Sequence, residues 1–106
     1  MLSYCQLWLT CKDHAEAAVI TKSLLDKHLV ACVRQMPVVS DYRWQGKIEH
    51  EGEVLLVMAS RDDLFDEAEQ EVAKLHSYGT FVLEALPIKN ISKKAKAWLK
   101  QELADG

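Results

Sequence analysis

The sequence predicts a single α+β domain: an antiparallel sheet covered by helices, one β-hairpin too long for that sheet, and a helix at the end. Three observations carry this. Apolar positions change between strand and helix spacing in the order β-α-β-β-α-β, which is the ferredoxin-like arrangement. A turn signal, Gln45-Gly46, separates two long extended runs. A last amphipathic segment follows Ser92, with Ala95, Trp98, Leu99 and Leu103 on one stripe.

The first strand spans Tyr4 to Cys11 and alternates only loosely, so both of its faces are expected to be buried. Asp13-His14-Ala15-Glu16 then reads as a capping box with Asp in the Ser/Thr role. The helix it opens carries Ala17, Ile20, Leu24 and Leu25 on one stripe and should end near His28. Ala31 to Trp44 is a long strand in which Pro37, lacking an N–H, predicts a bulge or bend. Beyond the turn, Lys47 to Glu53 is polar, and Gly52 marks a second expected irregularity. Val54 to Met58 is continuously apolar and reads as a central strand.

Asp62 or Asp63 should cap a second helix carrying Leu64, Phe65, Ala68, Val72 and Leu75. It stops before Ser77-Tyr78-Gly79. Phe81 to Ile88 is the fourth strand, ended at Pro87. Ser92 caps the final helix, whose Trp98 stripe must dock on its own sheet or on a neighbour.

Strands in small domains average about five or six residues, so an arm with two strands of more than about ten outreaches its own sheet. Such an arm exposes edges that must pair with something. The sequence therefore predicts an obligate oligomer, with Tyr42, Arg43, Trp44 and Gly46 at the contact.

At 106 residues the chain suits one domain, 1–106, with one core. No apolar run approaches the ~20 residues of a membrane span. The opening Met1-Leu2-Ser3-Tyr4 lacks the basic region and cleavage site of a signal peptide, so a cytoplasmic protein is expected. An odd count of cysteines, Cys5, Cys11 and Cys32, argues against a closed disulfide framework. A net charge of −3 argues against nucleic acid as a partner. The one basic cluster, Lys89, Lys93, Lys94, Lys96 and Lys100, reads as a solvated helix face.

Cys11 sits at a strand end just before a helix N-terminus. The helix dipole there is expected to lower its pKa and favour the thiolate, which binds soft metals. His14 follows at Cys-x-x-His spacing and can add an imidazole, a pair suited to copper or zinc. His76, near a helix end, reads either as a dipole-favoured histidine or as a further ligand. Cys5 and Cys32 read as core, and His28 and His50 as surface.

Other chemistries of this arrangement lack their residues. The loop Thr10-Cys11-Lys12-Asp13-His14 is not the Met-x-Cys-x-x-Cys of copper chaperones. Val54 to Met58 lacks the aromatics of an RNA-recognition sheet. No Gly-rich loop follows the first strand to cradle a phosphate. No Ser-His-Asp or paired-carboxylate spacing stands out, so no enzymatic activity is expected.

Three blocks resemble the CutA divalent-cation tolerance proteins: Leu29-Val30-Ala31-Cys32-Val33, Tyr42-Arg43-Trp44-Gln45-Gly46-Lys47-Ile48 and Glu53-Val54-Leu55-Leu56. Ala85-Leu86-Pro87-Ile88 and Trp98-Leu99 are similar to that family as well. The resemblance covers nearly the whole chain, and the Tyr-Arg-Trp-Gln-Gly-Lys block is its specific part. It implies a ferredoxin-like subunit in a tight homotrimer whose hairpins pair with neighbours. It also implies a part in tolerance of, or response to, copper and other divalent ions. The alternative it implies is a trimeric sensor or assembly module, similar to PII signalling proteins, that binds a small ligand or protein partner between subunits.

The chain departs from the family after the second helix. His76-Ser77-Tyr78 stands where the family reads His-Pro-Tyr, and Phe81-Val82 where it reads Pro-Glu. In bacterial relatives copper is assigned to a Cys ending the first strand and to two adjacent His. Cys11 and His76 match those positions, while Leu75 fills the other. The resemblance thus implies weak copper binding centred on Cys11 and His76; the Cys-x-x-His spacing adds His14 as a further candidate.

Overall fold

A computed structural model describes residues 3–105. Residues 1, 2 and 106, including the Met1-Leu2 of the expected leader-free start, lie outside that range. The elements are β1 (Tyr4–Cys11), α1 (His14–Asp26), β2 (Cys32–Trp44), β3 (Lys47–Arg61), a 3₁₀ turn (Asp62–Leu64), α2 (Phe65–Leu75), β4 (Leu83–Pro87) and α3 (Lys93–Glu102). The four strands form one sheet in the order β2-β3-β1-β4, every neighbouring pair antiparallel. This is the ferredoxin-like arrangement the periodicity predicts.

β1 alternates more cleanly than its sequence suggests. Cys5, Leu7, Leu9 and Cys11 are fully buried, while Gln6, Trp8 and Thr10 are half-buried on the opposite face. The expectation of burial on both faces is corrected: the face carrying Gln6, Trp8 and Thr10 is covered only in part. Opposite them on β3 stand Ser60, Met58, Leu56 and Val54, register partners of Cys5, Leu7, Leu9 and Cys11. Ala17, Ile20 and Leu24 of α1 and Ala68 and Val72 of α2 close the core with Leu99 and Leu103 of the α3 region. Leu25 falls outside the stripe and is exposed.

α1 ends in a Schellman pattern. Leu29 N donates to Leu24 O at 3.0 Å and His28 N to Leu25 O at 3.0 Å. His28 takes the left-handed position, φ +58°, usually given to glycine. Its neighbours justify the strain: its ring Nδ1 lies 2.8 Å from Glu102 O, and its carbonyl accepts Ala104 N at 2.9 Å. Buried Arg61 completes the anchorage of the chain end, donating to Ala104 O and to both Asp63 carboxylate oxygens. Asp63 is therefore occupied by Arg61, and α2 starts after the 3₁₀ turn with no side-chain cap. Ser92 precedes α3 without a side-chain capping bond either. The fourth strand is shorter than expected, because Phe81 and Val82 lie outside the ladder.

The long hairpin is uninterrupted. One-to-one pairing runs from Cys32↔Ala59 through Pro37↔Val54 and Val39↔Gly52 to Trp44↔Lys47. The expected irregularities at Pro37 and Gly52 are absent. β2 is the sheet edge, where a residue without an N–H fits with no ladder bond lost. Gln45 at φ +51° and Gly46 at φ +79° form the tip, the left-handed pair of a type I′ turn. β1 pairs with β3 only from Val54 to Arg61, so residues 38–44 and 47–53 form a two-stranded ribbon beyond the sheet.

Candidate functional site

The sequence-predicted residues fall into two places. Tyr42, Arg43, Trp44 and Gly46 lie along the free ribbon, which has no strand on either side. In the single chain Trp44 is 46% exposed and Ile48 69% exposed. Cys11 and His76 lie at the other place, where the end of β1, the start of α1 and the end of α2 meet. There Cys11, Glu16 and His76 each turn one donor atom inward, and the three atoms lie within 4.8 Å of one another. His14, on the exposed side of the first turn of α1, is outside this group.

The capping box explains how Glu16 arrives there. Asp13 Oδ1 accepts Glu16 N at 2.9 Å, as the motif demands. The Glu16 side chain reaches back one residue further than the motif, to Lys12 N at 3.0 Å. Its other oxygen accepts Ser77 N at 2.9 Å. The carboxylate therefore joins the start of α1 to the loop after α2, with its side chain only 6% exposed. Burial would raise its pKa. The bonds from Ser77 and Lys12 outweigh that and hold it below the usual range.

His76 is the hub, its side chain wholly buried. Nε2 lies 2.9 Å from Thr10 O, and Nδ1 accepts Tyr78 N at 3.1 Å. These partners select the neutral tautomer with its proton on Nε2, donated to the Thr10 carbonyl. Glu16 Oε1 is 3.6 Å from the same Nε2. The ring packs against Tyr78 and Phe81, at centroid distances of 4.8 and 5.3 Å.

Cys11 reverses the expected pKa direction. Burial first, and then the charges of Glu16, Glu53 and Asp13, push its thiol up to about 12. The helix N-terminus does not prevail over burial and those carboxylate charges. Cys5 is pushed up to about 12 likewise, by burial and then by Asp62 and Asp63. All three cysteines are free. Cys32, expected in the core, is only half-buried at the sheet edge.

Three residues of this neighbourhood escaped sequence reasoning in their site role. Glu16 was legible only as a cap. Glu53 was legible as part of a polar run and of a family block, and Tyr78 as a loop residue that keeps the family's tyrosine, but neither pointed to the other. Tyr78 OH donates to buried Glu53 Oε2 at 2.9 Å, across 25 positions of chain. No local spacing signals a contact of that kind.

Chemically, the arrangement offers a thiol, a carboxylate and an imidazole, a donor set suited to a borderline divalent cation. Both His76 nitrogens and both Glu16 oxygens already have partners, so an ion would have to compete for its ligands.

Known proteins share both the sequence and the shape. A family model described as CutA1 divalent ion tolerance protein matches residues 5–102. The divalent-cation tolerance protein CutA of Archaeoglobus fulgidus is 36% identical over 95 residues, covering 90% of this chain and 93% of that protein. Its namesake in Thermus thermophilus is 32% identical over 94 residues, covering 88% and 91%. The solved structure of CutA1 from Oryza sativa matches with a TM-score of 0.94 at 28% identity, over 99% of this chain and 97% of that one. The solved structure of the Archaeoglobus fulgidus CutA, described as periplasmic, matches at 0.91 with 34% identity, over 93% and 97%. This chain belongs to the CutA1 divalent ion tolerance protein family.

Proposed function

We propose that this protein is a non-catalytic, homotrimeric divalent-cation tolerance protein of the cytoplasm that binds copper weakly at Cys11 and His76. The convergence of the Cys11, Glu16 and His76 donors within 4.8 Å carries the metal part of the reading. Weakness follows from competition: an ion must displace the Cys11 proton and the His76–Thr10 hydrogen bond before it gains its own bonds. His14, exposed on the first turn of α1, adds nothing to that group. Three free thiols suit a reducing compartment.

The ribbon supports assembly. A two-stranded hairpin alone is marginally stable in water, and this one exposes Val39, Trp44 and Ile48 along unpaired edges. Strand pairing around a cyclic trimer removes those edges. Sedimentation of wild type as a stable monomer at micromolar concentration would refute the trimer. Trp44→Ala should weaken assembly by about 2–4 kcal/mol per site.

Calorimetry with Cu(II), and with Cu(I) under reducing conditions, tests the metal reading. Weak binding that Cys11→Ser abolishes supports it, and equal binding by both proteins refutes it. A stable trimer with no copper binding favours the second reading, a PII-like sensor or assembly module. One observation supports that reading: a cavity of about 210 Å³ beside α3, with Gln6, Arg34, Asn90 and Trp98 in its lining.

A further inference from the structure

Glu16 does more than cap α1. We propose that its carboxylate is a metal ligand that completes, with Cys11 Sγ and His76 Nε2, a three-donor site selecting a divalent cation over Cu(I). The inference rests on the reading in which Cys11 and His76 take an ion, and it names the third donor and the class of ion.

Geometry carries it. Bonds of about 2.0–2.3 Å in a tetrahedral site set neighbouring donors about 3.3–3.8 Å apart. The Glu16 Oε1 to His76 Nε2 separation is already 3.6 Å. All three donors lie within 4.8 Å of one another, so closure on an ion asks each to move by roughly 1 Å or less. They sit on three different elements, so the site is a product of the packed fold. The Glu16 carboxylate is held in position by backbone bonds from Lys12 N and Ser77 N.

Donor chemistry sets the preference. A thiolate and an imidazole alone accommodate Cu(I) well. A carboxylate oxygen is a hard, charged donor that adds little to Cu(I) and much to a divalent ion. With thiolate and carboxylate both ionised, the protein supplies two negative charges, which balance an M(II) ion and leave a fourth position for water.

Entry of the ion has a structural consequence. With the metal on Nε2, the imidazole proton resides on Nδ1. That nitrogen now accepts Tyr78 N at 3.1 Å. Two N–H groups would then face each other, so the Tyr78 amide must turn away. The loop that follows α2 also carries the Tyr78 OH bond to Glu53, so that bond reports ion entry too.

Co(II) titration of the intact protein, followed by absorption, is the first test. Wild type should show a near-ultraviolet thiolate charge-transfer band and the strong visible bands of four-coordinate Co(II). Glu16→Gln should bind at least about 10-fold more weakly, keeping the thiolate band at saturation. Zn(II) titration of wild type labelled with ¹³C at glutamate carboxylates is the second test. The Glu16 carboxylate and Tyr78 amide resonances should shift together. This measurement decides alone if Glu16→Gln does not fold. A thiolate band with unchanged affinity in Glu16→Gln, or an unmoved Glu16 carboxylate in wild type, overturns the role of Glu16 and leaves the Cys11–His76 reading standing. No thiolate band in wild type overturns the divalent-cation site, and the copper calorimetry then decides the Cys11–His76 reading by itself.

Discussion

The Tyr78 hydroxyl donates to Glu53 Oε2 at 2.9 Å and so ties the loop after α2 to the root of the long hairpin. Glu53 is 7% exposed, the last residue of β3 before the ladder with β1 begins. Burial, and then the hydrogen bond to the Glu53 carboxylate, raise the Tyr78 pKa. Tyr78→Phe removes the donor and leaves a buried carboxylate one partner short. It should destabilise the protein by about 1.5–3 kcal/mol in denaturant unfolding. The double change with Glu53→Gln should cost less than the two single changes added, because the second removes the charge the first abandons. Strict additivity would show that the contact contributes nothing.

Acid should attack a different link. Glu71 accepts Lys27 Nζ at 2.6 Å and Ser23 Oγ at 2.5 Å, joining α2 to α1. Those bonds outweigh its burial and lower its pKa to about 2. A depressed carboxylate pKa means stability that is present above the unfolded value, about 4.3, and lost as pH falls towards the folded one. The melting temperature of wild type should therefore fall between pH 5 and pH 2, on the scale set by those two values. Glu71→Gln should flatten that limb. An unchanged acid limb in Glu71→Gln would remove Glu71 from the account.

Thiol chemistry should follow burial. Cys5 and Cys11 have no exposed surface, and both thiols are pushed up to about 12. Almost no thiolate is present at neutral pH, and the thiolate is the reactive form. Mass spectrometry after iodoacetamide should find both unmodified in the native protein and all three cysteines modified in guanidinium. Rapid native labelling of Cys11 would contradict the buried site.

The hairpin tip offers a backbone test. Gly46 holds φ +79°, a region that costs an L-residue about 1–2 kcal/mol. Open space surrounds its Cβ position, so Gly46→Ala should cost that backbone term alone. Gln45, at φ +51°, occupies a position that asparagine suits better. Gln45→Asn should raise the melting temperature, and a fall would argue against a type I′ turn.

Local chemistry was enough for much of this protein. Gln45-Gly46 demanded a tight turn, Asp13-x-x-Glu16 demanded a helix start, and alternating and helical apolar spacings set the order of elements. Those signals are short-range, and each holds whatever the rest of the chain does. The Tyr-Arg-Trp-Gln-Gly-Lys block and its flanks carried the family as well. Packing decided the rest. Which face of β1 meets the helices, whether Pro37 breaks a ladder, and which partner Asp63 takes all depend on residues far away in sequence. The site shows the division most clearly. Cys11 sits at a helix start, where local reasoning favours a thiolate, yet burial, and then the charges of Glu16, Glu53 and Asp13, keep its proton on. His76 matched a ligand position by sequence. Only the fold placed it 3.6 Å from Glu16, because that approach joins the ends of two helices through Lys12, Ser77 and Thr10 backbone groups that no sequence pattern marks.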